Sequence, residues 1–256
     1  MVAVRRRDLL WKETKGMSDD GNEADLCEAF MEKARAHGWT CYPETSSWDI
    51  LLTKDTWQIG VQAKLHLNVH VLDQAIGIGY PTYRRGPVYR AVLVPGKHAR
   101  DGRHVLKALR LWCFGPVDCG HAMLEEPGNF IRDHMHYNWR PIQPAWIPDV
   151  VPDLPAGASA PLQLTQWKQR ALRLLARAHI YGFVTSKDAK ELQIDLNTFK
   201  RMSWLVTNGT KLGRLDKLFI NPIPGEARPD QKHPAEFQWF CDEIKNSQPL
   251  ELTLEI

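Results

Sequence analysis

The feature that most constrains this fold is a proline-rich stretch between Glu126 and Pro161. Proline lacks a backbone N–H and disfavours helix in the residue before it, so the stretch can form neither a central β-strand nor a long helix. It also carries several large apolar side chains, which argues against a freely disordered tether: Trp139, Trp146, Ile147 and Val150. The sequence therefore predicts an extended strap, residues 126–161, that lies on two domains, residues 1–125 and 162–256.

The composition indicates a globular protein that is not exported. The chain has 256 residues, of which 43% are hydrophobic, enough for substantial cores. No apolar run is long enough to span a bilayer, and the basic N-terminus lacks the apolar stretch of a signal peptide. The five cysteines include no CxxC pair, which argues against a disulfide framework. We expect a cytoplasmic protein without a membrane partner.

Charge is distributed unevenly along the chain. Residues 164–220 contain eleven basic and four acidic side chains, a balance of +7, whereas the whole chain carries +3. The remainder is therefore net acidic. This asymmetry favours a polyanion partner for the C-terminal part, although a basic solvated face is a common alternative.

The first regular element is predicted to be a helix within residues 18–38. Acidic residues crowd its start and Gly38 follows its end. One face is apolar, and it comprises Leu26, Cys27, Phe30 and Ala34. Glu23 lies on this same face, either as a first-turn residue favoured by the helix dipole or as a carboxylate directed inward for a purpose.

Strand-like segments follow at residues 39–44, 48–53 and 57–67, with a turn at 54–56. In the third segment a period of two puts Gly60, Gln62 and Lys64 on one face and aliphatic residues on the other. Further elements then alternate: helix at 70–80, strand at 88–95, helix at 103–111 and strand at 111–115. This order predicts the α/β class, with helices flanking a mixed central sheet.

Chemistry-bearing residues appear in these elements in a recognisable order: Glu23 in the helix, Asp49 in the second strand, and Gln62-Ala63-Lys64 in the third. Over residues 20–115 this order resembles the PD-(D/E)XK nuclease superfamily, which implies a restriction-endonuclease-like sheet. The following "LDQAIGIGY" is similar to the glutamine and tyrosine helix motif of RecB-like members, although the spacing from Gln74 to Tyr80 is longer than usual.

The resemblance implies a metal-dependent cleavage of phosphodiesters that leaves 5′-phosphate and 3′-hydroxyl ends. Mg²⁺, or Mn²⁺, prefers oxygen ligands. By analogy those ligands are Asp49, the Gln62 side-chain oxygen and the Ala63 carbonyl, with Glu23 on the metal or one of its waters. Lys64 would orient or help deprotonate the attacking water and stabilise the transition state.

Gln62 departs from the family pattern, because most members have Asp or Glu there. A neutral amide oxygen still binds a hard cation, but the lost charge should weaken Mg²⁺ affinity and favour a single metal. Glu44, on the strand before Asp49, is the strongest rival to Glu23 as an additional ligand. The structural alternative is that Asp49 only ends a strand and that Lys64 only extends from a sheet edge.

The C-terminal part is predicted to be mainly helical. Residues 164–182 form a helix whose buried face comprises Trp167, Ala171, Leu174, Leu175 and Ala178. Two further helices follow at 185–194 and 195–209, with Thr185 or Ser186 and then Asp195 as N-caps. Residues 210–222 suggest a two-stranded wing, and residues 233–244 another helix.

This arrangement resembles a winged helix-turn-helix domain, in which the third helix enters the DNA major groove and the wing touches phosphates. The resemblance implies DNA contacts from two sets of residues: Asn197, Thr198, Lys200 and Arg201 on the helix, and Lys211, Arg214 and Lys217 in the wing. Winged helices also bind proteins, which is the alternative.

Taken together, these features predict a bacterial or phage DNA endonuclease of restriction, defence, recombination or transposition. Its partners are DNA and, as a further candidate, a second copy of the chain. The alternative is a non-catalytic DNA-binding regulator on a degenerate nuclease fold. A third hypothesis is a zinc-stabilised interaction module that uses thiols and imidazoles of one segment: Cys113, Cys119, His121, His134 and His136.

Overall fold

The computed structural model describes residues 22–76, 87, 89–95, 102–115, 144–156, 163–207, 217–224 and 227–247. Contacts within the chain divide it into two compact units. Unit 1 comprises Met1–Ile147 and Leu154–Ala160, and unit 2 comprises Pro148–Asp153 and Pro161–Ile256. Among the described helices, none is long and apolar enough to cross a bilayer.

Unit 1 is built on a five-stranded sheet in the order β1-β2-β3-β4-β5. The strands are β1 (Thr40–Thr45), β2 (Trp48–Lys54), β3 (Trp57–Ala63), β4 (Tyr89–Leu93) and β5 (Trp112–Phe114). The first three pair antiparallel through tight hairpins, and β3, β4 and β5 pair parallel through helical crossovers. The predicted α/β class with a mixed sheet is therefore confirmed.

Helix α1 (Glu23–Ala36) covers one face of this sheet. The Asn22 side chain caps its start by accepting a hydrogen bond from the Asp25 N–H, 2.8 Å away. Its predicted apolar face is buried, as is the aliphatic face of β3, and both belong to one core cluster. The residues of that cluster in the two elements are Leu26, Cys27, Phe30, Met31, Ala34, Ile59, Val61 and Ala63.

Two short helices, α2 (Val69–Ile76) and α3 (Arg103–Ala108), contribute to a second cluster with β4 and β5. Val92 and Val94 enter this cluster, while Ala91 and Leu93 enter the cluster with α1. Alternate residues of β4 are thus buried on opposite sides of the sheet, as expected for a strand covered on both faces.

The described part of the predicted strap, residues 144–156, contains no regular helix or strand. In unit 1 the Gln58 side chain donates to the Ala145 carbonyl at 3.2 Å and accepts from the Ala145 N–H at 2.7 Å. In unit 2 the Asp149 N–H donates to Gln169 Oε1 at 3.0 Å. The domain boundaries at 125 and 161 stay a prediction, since residues 116–143 and 157–162 lie outside the described ranges.

The described part of unit 2 begins with three helices, which are followed by two antiparallel strands. The helices are α4 (Gln166–Tyr181), α5 (Ser186–Glu191) and α6 (Leu196–Arg201), and the strands are β6 (Leu205–Thr207) and β7 (Leu218–Ile220). Thr185 caps α5 and Asp195 caps α6, which confirms two of the expected N-caps. Val184 forms an isolated bridge to Leu218, so the segment before α5 joins the hairpin.

Two expectations for this unit are wrong. The segment 195–209 is not one helix, because α6 ends at Arg201 and β6 begins at Leu205. The β-branched Val206 and Thr207 follow a chain reversal at Ser203, whose φ is +55°, and they favour the strand. Trp167 is 38% exposed instead of buried, because it lies on the first turn of α4. Its ring contacts Phe199 and Trp204.

The C-terminal helix is confirmed and begins one residue after its expected start. It follows the short α7 (Pro229–Lys232), which the sequence did not predict, and forms α8 (Pro234–Asn246). Phe240 and Cys241 of α8 pack with Leu172 and Ala176 of α4 in a separate core cluster.

Candidate metal centre and nucleic-acid interface

Asp49 lies near the start of β2, at the edge of the β2–β3 ladder. The paired register of β2 and β3 ends with Ile50 and Val61, so Asp49 is the residue just before the last paired position of β2. The Ala63 N–H donates to Asp49 Oδ2 at 2.7 Å. A side-chain carboxylate thus satisfies a β3 amide just beyond the paired positions, and this fixes the carboxylate against the backbone of β3.

Lys64 is the first residue after β3, and its backbone N–H donates to the Leu93 carbonyl at 3.0 Å. Its ammonium nitrogen lies 2.7 Å from Glu23 Oε1 and 3.0 Å from Glu23 Oε2, at the first residue of α1. Burial alone would lower the pKa of Lys64, but the Glu23 hydrogen bond and the charges of Glu23 and Asp49 raise it. Lys64 is therefore an ammonium ion at neutral pH.

Gln62 is 2% exposed, and its side-chain amide has a fixed orientation. Nε2 donates to the Ser47 carbonyl at 2.8 Å. A carbonyl oxygen only accepts hydrogen bonds, so the nitrogen of the amide must face Ser47. Oε1 is consequently the atom that remains for a cation.

The Ser46-Ser47 turn between β1 and β2 is a two-residue hairpin loop, closed by the Thr45 and Trp48 pair. Both serines have left-handed backbone conformations, with φ of +54° and +67°. Such hairpins favour Asn-Gly or Asp-Gly, because other residues are strained at positive φ. Ser46 Oγ donates to the Trp146 carbonyl at 2.7 Å. The turn next to Asp49 is therefore held by two hydrogen bonds, one from Ser46 to the Trp146 carbonyl and one from Gln62 to the Ser47 carbonyl.

Cys27 is buried near three carboxylates, those of Asp49, Glu23 and Glu44. The pKa of the Cys27 thiol is raised by burial and by the negative charges of Asp49, Glu23 and Glu44. Cys27 is therefore a neutral thiol at physiological pH. Glu44 is 3% exposed and has a φ of +47°, an uncommon backbone conformation for a residue other than glycine.

The structure thus brings together most of the residues that the nuclease resemblance names. Asp49 contacts Ala63, Glu23 contacts Lys64, and the Gln62 side chain contacts Ser47, two residues before Asp49. Sequence reasoning missed the Ser46-Ser47 turn and the proximity of Cys27, for which the only signals were an unusual dipeptide and a position on the apolar face of α1.

Of the two residues in the glutamine and tyrosine helix motif, the structure describes one. Gln74 lies in α2, and its side-chain oxygen is buried without a hydrogen-bond partner among the described residues. Tyr80 lies outside those residues.

The candidate ligand atoms fit a hard cation such as Mg²⁺ in part. Among the residues that the structure describes, no three or more His, Cys, Asp or Glu side chains are grouped so as to hold a metal. The candidate set instead combines one carboxylate with an amide oxygen and a main-chain carbonyl, all oxygen donors of the type that Mg²⁺ prefers. Glu23 is engaged by Lys64. For the zinc hypothesis, Cys113 is buried in β5, and its four proposed partners fall outside the described ranges.

In unit 2, α6 presents the candidate DNA-contacting residues to solvent. Asn197, Lys200 and Arg201 are exposed, and Thr198 is half-buried. Lys217, at the start of the β7 segment, places its ammonium 4.0 Å from the centre of the Phe183 ring. Lys211 and Arg214 lie outside the described ranges.

Two of the basic residues counted for the C-terminal region form ion pairs within unit 2. Arg173 pairs with Asp149 at 2.9 Å and with Glu243 at 3.1 Å. Arg177 pairs with Asp188 at 3.3 Å and with Glu191 at 2.6 Å. These arginines are largely neutralised locally, and among the basic residues that the structure describes in this region, the exposed ones include Lys187 and Lys190 of α5 and Lys200 and Arg201 of α6.

Comparison with known proteins gives no relative for this chain. No family model, no curated protein and no solved structure matches it. A functional assignment therefore rests on the fold and on the geometry of the site.

Proposed function

We propose that this protein is a metal-dependent DNA endonuclease of the PD-(D/E)XK type with a winged-helix DNA-binding module. The observation that carries the proposal is the meeting of α1, β2 and β3 at one sheet edge. Asp49 there accepts the Ala63 amide while Lys64 binds Glu23.

Lys64 supplies positive charge beside the scissile phosphate. Because its pKa is raised, it is protonated at neutral pH and is unsuited to removing a proton from water. Its role is to stabilise negative charge that develops on the phosphate and to orient the attacking water. Glu23 holds the ammonium in place before the substrate binds.

The oxygens of Asp49, Gln62 and Ala63 would hold a divalent cation. A bound Mg²⁺ supplies polarisation of a phosphate oxygen and neutralisation of its charge. Asp49 Oδ2 already accepts one amide, which orients the carboxylate, and Gln62 is oriented by Ser47. With one neutral amide in the set, binding of a single metal of modest affinity is expected.

Unit 2 supports a DNA-binding role through both order and charge. The elements of unit 2 follow one another as a helix, a short β-bridge, two helices and a hairpin, and this is the order of a winged helix. Its third helix, α6, exposes Asn197, Lys200 and Arg201, whereas Arg173 and Arg177 are paired internally. Exposed lysine and arginine side chains on one helix are suited to contacts with DNA phosphates.

The test is cleavage of supercoiled plasmid and single-stranded DNA with Mg²⁺ or Mn²⁺. Asp49→Ala and Lys64→Ala should each abolish most activity. Asp55→Asn is the matched control, because Asp55 is an exposed carboxylate in the neighbouring β2–β3 turn at φ +51°, which Asn tolerates. Cleavage that persists in both site variants would count against this centre.

A non-catalytic DNA-binding regulator is the second candidate function. The observations that favour it are the neutral Gln62 and the closed Glu23–Lys64 ion pair. It predicts metal-independent DNA binding without cleavage of any substrate, and the same assay distinguishes it from the nuclease.

A further inference from the structure

Resting on the proposed nuclease function, we propose that Ser46 and Gln58 are positioning residues that clamp residues 144–147 against the sheet of unit 1 and thereby hold the metal ligands in place. Four hydrogen bonds make this clamp and its connection to the site. Three join the sheet and its first hairpin to the segment: Gln58 donates to the Ala145 carbonyl, the Ala145 N–H donates to Gln58, and Ser46 donates to the Trp146 carbonyl. The fourth joins Ser47 to Gln62.

The clamp acts on a strained part of the chain. Ser46 and Ser47 both have positive φ, a conformation that is strained for a residue with a side chain. A turn of this kind persists only where its surroundings fix it. The Ser46 hydroxyl is one such fixing contact, because it donates to the Trp146 carbonyl at 2.7 Å.

The turn then orients Gln62. The Ser47 carbonyl accepts a hydrogen bond from Gln62 Nε2, so the direction of that carbonyl determines how the Gln62 amide is oriented. If the turn relaxes, the amide can rotate and present nitrogen, a donor that repels a cation. Asp49 is two residues after Ser47 in the chain, so its hydrogen bond with the Ala63 amide depends on the same turn.

Gln58 anchors the other end of the arrangement. Its side-chain amide pairs with both the N–H and the carbonyl of Ala145, which imitates a β-bridge between a strand and this segment. Gln58 and Gln62 belong to the same strand, β3. The segment therefore spans from β3 to the hairpin that carries Asp49.

The test uses full-length variants chosen to preserve folding. Ser46→Gly removes the hydroxyl and suits a positive φ, and Ser46→Asn restores a donor at a residue type that tolerates this conformation. Gln58→Ala breaks the second anchor independently. Thr56→Ala, an exposed position in the β2–β3 turn, is the control.

Two readouts are compared. In plasmid cleavage, Ser46→Gly and Gln58→Ala should raise the Mn²⁺ concentration for half-maximal rate by about tenfold, as for other residues that orient metal ligands, with little change in rate at saturating metal. In hydrogen exchange, the Ala63 amide should exchange about tenfold faster in both variants. Ser46→Asn should restore both values, and Thr56→Ala should leave them unchanged.

Unchanged Ala63 exchange in Ser46→Gly and Gln58→Ala would overturn the clamp. An equal increase in Thr56→Ala would overturn it too. If the wild-type protein does not cleave DNA with any metal, the proposed function fails, and the exchange comparison still decides whether the clamp holds the site.

Discussion

At the scale of single residues, the ion pair between Lys64 and Glu23 is the clearest expression of the site. Both side chains are about one third exposed, so solvent screens the pair and its contribution to stability is small. Its consequence is chemical: the carboxylate keeps Lys64 charged and directs it to the edge of the sheet where Asp49 lies. Under the proposed nuclease function, the pair serves the arrangement of the site more than the stability of the fold.

Removing the Glu23 charge should change the alkaline limb of the stability profile. A raised lysine pKa stabilises the fold below about pH 10.5 and loses this contribution as pH rises through the folded pKa. Glu23→Gln should therefore lower the free energy of unfolding by less than about 1 kcal/mol at pH 8, with a smaller difference at pH 11. Urea unfolding at several pH values measures this.

The control for that experiment is Glu28→Gln on the same helix. Glu28 forms an exposed ion pair with Arg35, so the partner in this pair is a guanidinium group and not a lysine ammonium. The difference from wild type should therefore not shrink between pH 8 and pH 11. Equal pH dependence in the two variants would contradict our assignment of the Lys64 shift to Glu23.

Gly60 is a second residue whose identity the structure explains. A Cβ at this position would lie 2.3 Å from the ring of Trp48, which is buried and also faces the Arg90 guanidinium at 5.6 Å. Gly60→Ala should destabilise the protein by about 1–3 kcal/mol through overpacking, measured by urea unfolding. In a Trp48→Leu background the same change should cost less, and an equal cost in both backgrounds would exclude the ring as the cause.

At the scale of elements, helix α5 shows how local signals determine a boundary. Thr185 and Asp188 form a reciprocal capping box at its start. Arg177 of α4 adds an ion pair to the same carboxylate. Six residues would not form a stable helix alone, so the cap and its packing on α4 stabilise α5.

The capping box has a definite pH signature. Burial opposes ionisation of Asp188, but hydrogen bonds from Thr185 and the charge of Arg177 lower its pKa below the usual value. A lowered pKa stabilises the fold above about pH 3.8 and is lost as pH falls through the folded pKa. Asp188→Asn should cost about 1 kcal/mol at pH 7 and much less at pH 2.5 in urea unfolding.

Asp195→Asn is the control, because asparagine is as good an N-cap as aspartate and α6 should keep its cap. A loss of stability in Asp188→Asn that does not vary with pH would show that the carboxylate charge has no part in capping α5.

The elements also show what the sequence could and could not predict. Period-3.6 patterns locate α1 and α4, because each helix buries one continuous face, whereas β4 is an apolar segment buried on both faces. The sequence predicts a helix that continues through Val206 and Thr207, whereas the chain reverses at Ser203 and continues as a strand. A single reversal at a non-glycine residue leaves no signal in the sequence.

The sequence also predicts only part of the candidate site. Asp49 and Lys64 interrupt apolar strands, which is visible in the sequence. The contact of Ser46 with Trp146 joins residues 100 positions apart through a hydroxyl and a main-chain carbonyl, and no pattern of residue types marks such a contact.

At the scale of the whole molecule, the proposal assigns cleavage to unit 1 and DNA binding to unit 2. The combined change Lys200→Ala and Arg201→Ala should weaken DNA binding and reduce the slope of log affinity against log salt by about 1–2, since each lost phosphate contact removes about 0.9. Fluorescence anisotropy at several salt concentrations measures this.

Lys245→Ala on α8 is the matched control, because Lys245 is an exposed cation of the same unit that neighbours Asp242 at 3.9 Å. It should leave the slope unchanged. An unchanged slope in the double variant as well would reassign α6 to a protein partner.

The central claim is that neighbouring strands of unit 1 gather oxygens that hold a divalent cation beside Lys64. Anomalous diffraction from crystals soaked with Mn²⁺ tests it most directly. We expect a manganese peak next to Asp49, Gln62 and the Ala63 carbonyl in the wild-type protein, and no peak there in Asp49→Asn. A manganese peak only elsewhere in the molecule, or one beside residue 49 that survives Asp49→Asn, would contradict the account.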